Sequence, residues 1–169
     1  HGGECGGRAA IATAKPELVA ALPSDGLAVL NADDPAVRAM SAVTTARVVL
    51  VGEADDADVR AGDVGLDDGG RASFTVHTPS ATRAVGLGLV GRHHVGNALS
   101  VIAVATELGM PLDAVCSALE AARPVSRWRM EVVERADGVT LVNDAYNANP
   151  DSMHAALTAL ARMGRGRRT

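Results

Sequence analysis

Residues 143 to 149 read Asn-Asp-Ala-Tyr-Asn-Ala-Asn, which sets a carboxylate, a phenol and three carboxamides close together just before Pro150. Asp144 offers a carboxylate suited to ribose hydroxyls, and Tyr146 offers a flat ring with a polar tip. The run lies between a strand-like segment and a helix start, where α/β proteins gather ligand-binding groups. The ordinary alternative is a loop whose Asn and Asp side chains satisfy their own turns and cap the next helix.

Other candidates are scattered. Lys15 is the only lysine among 16 basic residues, and by residue type alone it reads as a solvated helix lysine. Asn97 can present both edges of its carboxamide to a base, or simply sit on a helix face. Arg129 carries a planar fork that fits phosphate, although a junction arginine pairing with an acidic neighbour is equally ordinary. Asn31 and Asp33 read first as caps for a helix opening at Asp34-Pro35. His1, Cys5, His93 and His94 would be the members of a zinc site, but they lack paired ligand spacing. The arginines at 162, 165, 167 and 168 have no interleaved aromatics, since Phe74, Trp128 and Tyr146 are the only aromatic residues. A nucleic-acid surface is not indicated.

The elements that must position these groups follow an α/β rhythm. An Ala-rich helical pattern runs from Ala9 to Leu22 and is interrupted at Pro16. Leu27–Leu30 and Arg47–Val51 read as buried strands, with a helix from Asp34-Pro35 towards Val43 between them. Short strands alternating with helices imply a mainly parallel sheet. From Asp58 to Leu89 Gly and Asp punctuate alternating segments, including Ala72–His77 and Thr82–Leu89, which predicts an antiparallel ribbon. Helices are predicted over His94–Leu108 and Leu112–Ala122, broken at Gly109-Met110-Pro111. Arg123-Pro124-Val125-Ser126 reads as a linker. Beyond it Glu131–Glu134 and Val139–Val142 pair around Asp137-Gly138, and Pro150 opens a helix to about Arg162.

The 169 residues are 47% apolar and 21% charged, with a formal net charge of −4. That composition is globular and points to small-molecule partners. No apolar run is long enough for a membrane span and no secretory signal opens the chain, so a soluble cytoplasmic protein is expected. The two cysteines, Cys5 and Cys116, do not make a disulfide framework. The start at His1 and the stop after a helical pattern lead us to expect part of a longer protein.

Taken in order, the motifs resemble those of the Mur ligase family. Asn143 to Met153 reads NDAYNANPDSM, close to the motif that opens the C-terminal domain in members joining D-alanyl-D-alanine to UDP-N-acetylmuramoyl-tripeptide. His1 with Gly3-Glu4 and Gly6 resembles the family's His-x-x-Glu-x-Gly segment, and Ala14-Lys15 its following Ala-Lys. Asn31-Ala32-Asp33-Asp34 resembles a strand-end motif, Gly91 to Leu99 (GRHHVGNAL) the motif opening a helix near the adenine, and Arg129-Met130-Glu131 the domain junction. His94 stands where many members have Asn.

The resemblance implies an α/β fold. Residues 1–124 would be the later part of a central ATPase domain, a parallel sheet with a small antiparallel sheet and helices. Residues 125–169 would begin a Rossmann-like C-terminal ligase domain. It implies ATP-dependent amide formation through an acyl phosphate, with ATP and Mg2+ required, in a monomer that binds neither nucleic acid nor membrane. Asp144 would contact the ATP ribose, Tyr146, Asn147 and Asn149 would line the nucleotide and acceptor side, Asn97 the adenine, and Arg129 the phosphates. Lys15 would be carbamylated, giving two oxygens suited to Mg2+, and His1, at the family's spacing from it, would ligate the same ion. The Gly-rich phosphate loop G-x-x-x-x-G-K-[ST] is absent from the sequence, so this chain alone is expected to bind ATP poorly and to be inactive. The alternatives are another Mur or folylpolyglutamate-type ligase, or a non-catalytic nucleotide-binding fragment.

Overall fold

A computed structural model describes residues 15–123, 131–146, 148 and 150–163. Helix α1 is seen over residues 15–20, with Pro16 near its described start, a place where a missing N–H is tolerated. Strands β1 (Leu27–Asn31) and β2 (Arg47–Gly52) run parallel in the register Leu27↔Arg47 to Asn31↔Val51. Parallel neighbours need a crossover, and here it is a short helix α2 (Pro35–Arg38) that tightens into a 3-10 turn over Ala39–Val43. The sequence reading made Asn31 and Asp33 its caps. The structure corrects this: Asp34 caps α2, its Oδ1 accepting from the N–H groups of Ala36 at 2.9 Å and Val37 at 3.4 Å. Asn31 and Asp33 are turned elsewhere.

Strand β3 (Val59–Leu66) continues the sheet, parallel to β2 through Val51↔Val59 and Gly52↔Arg60. Antiparallel β4 (Arg71–His77) and β5 (Thr82–Val90) follow, in the order β1-β2-β3-β4-β5. The ribbon expected from the Gly and Asp punctuation is therefore continuous with the parallel strands. A bulge between Gly62 and Gly65 bends β3, with Asp63 left-handed at φ 52°.

Alternation sorts the strands between two layers. Val49 and Val51 of β2 face helix α3 (His94–Glu107), whose Val95, Ala98, Leu99, Ile102 and Ala103 form one buried stripe at helical spacing. Ala28 and Leu30 of β1 face the other way, onto Met40 with Val19, Leu22 and Val37. Helix α4 (Leu112–Ala121) lies on β5 with Val115 and Cys116 buried. At Gly88 of β5 an added Cβ would come within 2.4 Å of the Ala122 carbonyl oxygen, so only glycine lets the strand pass this close to the end of α4. Arg83 of β5 grips α4 through Asp113 at 3.2 Å and Glu120 at 3.0 Å.

The second unit is smaller. β6 (Glu131–Glu134) and β7 (Thr140–Asn143) form a hairpin in the register Glu131↔Asn143, turned at Gly138 with φ 80°. Helix α5 (Pro150–Met163) follows, as Pro150 predicted. Of the linker read over Arg123–Ser126, residues 124–126 lie outside the described residues, and Arg123 donates to the Glu120 and Ala122 carbonyls at the end of α4.

Candidate functional site

The C-terminal ends of β1 and β2 are tied together by side chains. Asn31 Oδ1 accepts the Asp33 N–H at 2.9 Å, which turns the chain sharply after β1. The Asp33 carboxylate reaches across to β2 and accepts from the N–H of Glu53 at 2.9 Å and of Ala54 at 3.0 Å. Gly52 makes room for it: a Cβ there would lie 2.6 Å from Asp33 Oδ1. The backbone at residue 53 is thereby pinned, and the Glu53 carboxylate receives both Arg92 guanidinium nitrogens, at 2.8 and 2.7 Å.

Arg92 belongs to the corner between β5 and α3. Gly91 there is left-handed at φ 120°, and its N–H donates to the Gly70 carbonyl at 2.8 Å. The imidazoles of His93 and His94 follow, their ring centroids 4.1 Å apart and tilted by 40°. Burial pushes the His94 imidazole down to about 4, with His93 adding to the effect. Both rings are shifted the same way by loss of water; at His93 the Asp144 carboxylate works against that shift. His94 is therefore neutral at pH 7, able to accept or donate through one nitrogen each way. The Asp144 effect on His93 links the hairpin unit to the start of α3.

Asp144 is half-buried just past β7, and Asn143 Oδ1 accepts the Ala145 N–H at 3.3 Å in the same turn. Tyr146 is 57% exposed. Asn97 is exposed on α3, three residues beyond the helix start at His94. Lys15 is exposed at the beginning of the described part of α1. His1, Arg129, Asn147 and Asn149 lie outside the described residues. Among the described residues, no group of three or more His, Cys, Asp and Glu could hold a metal ion. Cys116 is a free, buried thiol; Cys5, and with it the zinc grouping, lies outside the described residues. No helix of the described residues is long and apolar enough to cross a membrane.

Sequence reasoning missed Glu53, Arg92 and the cross-strand role of Asp33. Arg92 sat inside the singled-out segment GRHHVGNAL, so a partner for it was a fair question. Its partner lies 39 positions away and carries no local signal. A groove lined by Arg47, Asp58, Thr78, Thr106 and Glu107 opens at the opposite end of the sheet. None of the residues above lines it.

The fold and this edge define a layered α/β domain whose strand ends and helix start carry the polar groups, followed by a hairpin-and-helix unit. Residues 1–105 match the Mur ligase middle domain, and residues 128–169 match the Mur ligase, glutamate ligase domain. The chain belongs to the Mur ligase family. It is 55% identical over 161 residues to the UDP-N-acetylmuramoyl-tripeptide--D-alanyl-D-alanine ligase of Mycobacterium bovis, covering 95% of this chain and 32% of the relative. A crystal structure of MurF from Acinetobacter baumannii superposes with a TM-score of 0.85 at 32% identity, over 95% of this chain and 34% of that one. MurF ligase from Thermotoga maritima in complex with ADP shares the fold, with a TM-score of 0.76 at 24% identity over 93% of this chain and 35% of that one. The chain thus spans about a third of the length of the curated relatives it matches.

Proposed function

We propose that this chain is part of an ATP-dependent, amide-bond-forming ligase that joins D-alanyl-D-alanine to UDP-N-acetylmuramoyl-tripeptide in peptidoglycan precursor synthesis. The observation that carries the reading is the identity to the Mycobacterium bovis ligase across nearly the whole chain. The run from Asn143 to Met153 supports it within the sequence. In this reading the domain boundary falls at 124/125, inside the gap between the two family matches, and the parent is a cytoplasmic monomer that binds neither nucleic acid nor membrane.

The tripeptide's terminal carboxylate attacks the γ-phosphorus of ATP, releasing ADP and leaving an acyl phosphate. The amine of D-alanyl-D-alanine then attacks the acyl carbon, gives up a proton and expels phosphate. Charge builds up in both steps, and preorganised donors lower its cost. Asp144 accepts from the ribose hydroxyls, Asn97 faces the adenine, Arg129 meets the phosphates, and Tyr146, Asn147 and Asn149 line the nucleotide and acceptor side.

An unmodified lysine amine is a poor Mg2+ ligand. As a carbamate, the exposed Lys15 offers hard oxygens, and Mg2+ characteristically completes its shell with water and phosphate oxygen. The donor chemistry of a Lys15 carbamate therefore fits; with His1 beside it, it would hold the ion, which when bound would neutralise phosphate charge.

The test is an acceptor panel on the full-length ligase. Turnover with D-alanyl-D-alanine and none with free glutamate or L-alanine is expected; preference for a single amino acid would assign the chain to a sister ligase. Separately, Lys15→Ala should lose most activity and regain part of it with a small carboxylic acid. Unchanged turnover would remove Lys15 from the metal site.

A further inference from the structure

Three pieces of chain that are remote in sequence meet at the edge described above: the turn after β1, the turn after β2 and the start of α3. One continuous set of polar contacts joins them, from Asn31 to Asp33, from Asp33 to the backbone of residues 53 and 54, and from Glu53 to Arg92. The last link is exposed, with side-chain exposures of 55% for Arg92 and 37% for Glu53. An ion pair that wet contributes little to stability.

Its geometry is a different matter. Two parallel N–H···O contacts at 2.8 and 2.7 Å fix the orientation of both side chains. Each partner is also anchored behind. Glu53 donates its N–H to Asp33 across a gap that admits only glycine at 52. Arg92 follows a left-handed glycine whose N–H is bonded to Gly70 and precedes a helix whose next residues bury Val95, Ala98 and Leu99. A bidentate contact between two anchored backbones sets a distance and an angle. Here it sets the position of the first turn of α3, which carries Asn97, against the ends of the parallel strands.

We propose that Glu53 and Arg92 are a positioning pair for the nucleotide site, holding the first turn of α3 in the orientation that presents Asn97 to the base. This rests on the reading of Asn97 given under the proposed function. The opposite arrangement, with Arg92 as a direct phosphate ligand and Glu53 its competitor, predicts the reverse sign: removing the Glu53 charge would then tighten nucleotide binding.

The experiment measures ADP affinity, ATP KM, kcat and melting temperature in the full-length ligase. The variants are Glu53→Gln, Arg92→Gln, the charge exchange Glu53→Arg/Arg92→Glu, and Asn97→Ala as reference. Misplacing a binding group by a fraction of an ångström has effects of this order, so each single variant should weaken ADP binding and raise ATP KM by about 3- to 10-fold. The kcat should stay within about twofold and the melting temperature within about 2 °C, as for other exposed pairs. The charge exchange should recover part of the affinity, which a general loss of structure would not permit. Unchanged ADP affinity in the single variants, with Asn97→Ala weakened, would overturn the positioning role and leave the nucleotide site standing. Tighter binding on Glu53→Gln, or a loss of affinity that tracks a falling melting temperature, would overturn it as well. Unchanged ADP binding in Asn97→Ala would instead remove the underlying site assignment, whatever the pair does.

Discussion

The two units of the chain differ most in what holds them together. Every buried apolar residue among the described ones lies between Ala28 and Cys116, in the sheet, the helices on its two faces and the turns that join them. Among the side chains described over 131–163 none is buried, and Val133, Leu141, Tyr146 and Leu157 are 46%, 49%, 57% and 59% exposed. Yet the run most specific for function, Asn143 to Met153, belongs to this thinly packed unit. Within the described residues, the buried apolar side chains and this motif therefore fall in different units.

The largest expected consequence is in amide exchange. Amides of β2, β4, β5 and α3 should exchange only through global unfolding, and those of β6 and β7 through openings several kcal/mol cheaper. Measured residue by residue, equal protection in both units would break the contrast. Next in size is Leu99→Ala. Leu99 is fully buried in the main cluster, so the loss should be about 2–5 kcal/mol. Leu141→Ala, at 49% exposure, should cost less than about 0.5 kcal/mol. Denaturant midpoints give both numbers.

Gly52→Ala comes third. The new methyl would press on the Asp33 carboxylate, and displacing it costs about 1–3 kcal/mol. Asp33→Ala in the same chain should relieve part of that cost, since the obstacle is gone; a strictly additive double variant would show that the strain lies elsewhere.

The fold was legible in the sequence because its elements announce themselves locally. Pro35 and Pro150 open helices, the Asp137-Gly138 step turns a hairpin, and the buried stripe of α3 repeats at helical spacing. The short crossover illustrates the limit. The capping signal was present, but three acceptors, Asn31, Asp33 and Asp34, competed for it, and only the approach of β2 decides that Asp33 turns away. Of the candidate site, the sequence shows only what lies in contiguous motifs, as at Gly91–Leu99 and Asn143–Met153. The Glu53–Arg92 pair and the influence of Asp144 on His93 are products of tertiary approach. No spacing rule connects residues that meet only after the sheet has formed.

A further modest effect is expected in acid. His94 has its proton affinity lowered to about 4 from an ordinary 6.5, chiefly by burial. The unfolded chain therefore takes up this proton first as pH falls. The stability tied to a neutral His94 is fully present above about 6.5 and is lost between about 6.5 and 4. His94→Gln should remove that part of the acid sensitivity, about 1 kcal/mol after allowance for a half-exposed ring. Denaturant midpoints at pH 7 and pH 4.5 test it; identical pH dependence in the two proteins would contradict it.

The central claim is that the polar edge of the well-packed domain and the Asp144 turn of the thinly packed unit are two sides of one nucleotide cleft. Calorimetric titration of ADP into the full-length ligase carrying Asp144→Ala measures this directly. On the proposed reading Asp144 accepts ribose hydroxyls, so its loss should weaken ADP by about 10-fold or more, with the melting temperature of the main domain unmoved. ADP affinity equal to that of the unaltered enzyme would contradict the claim.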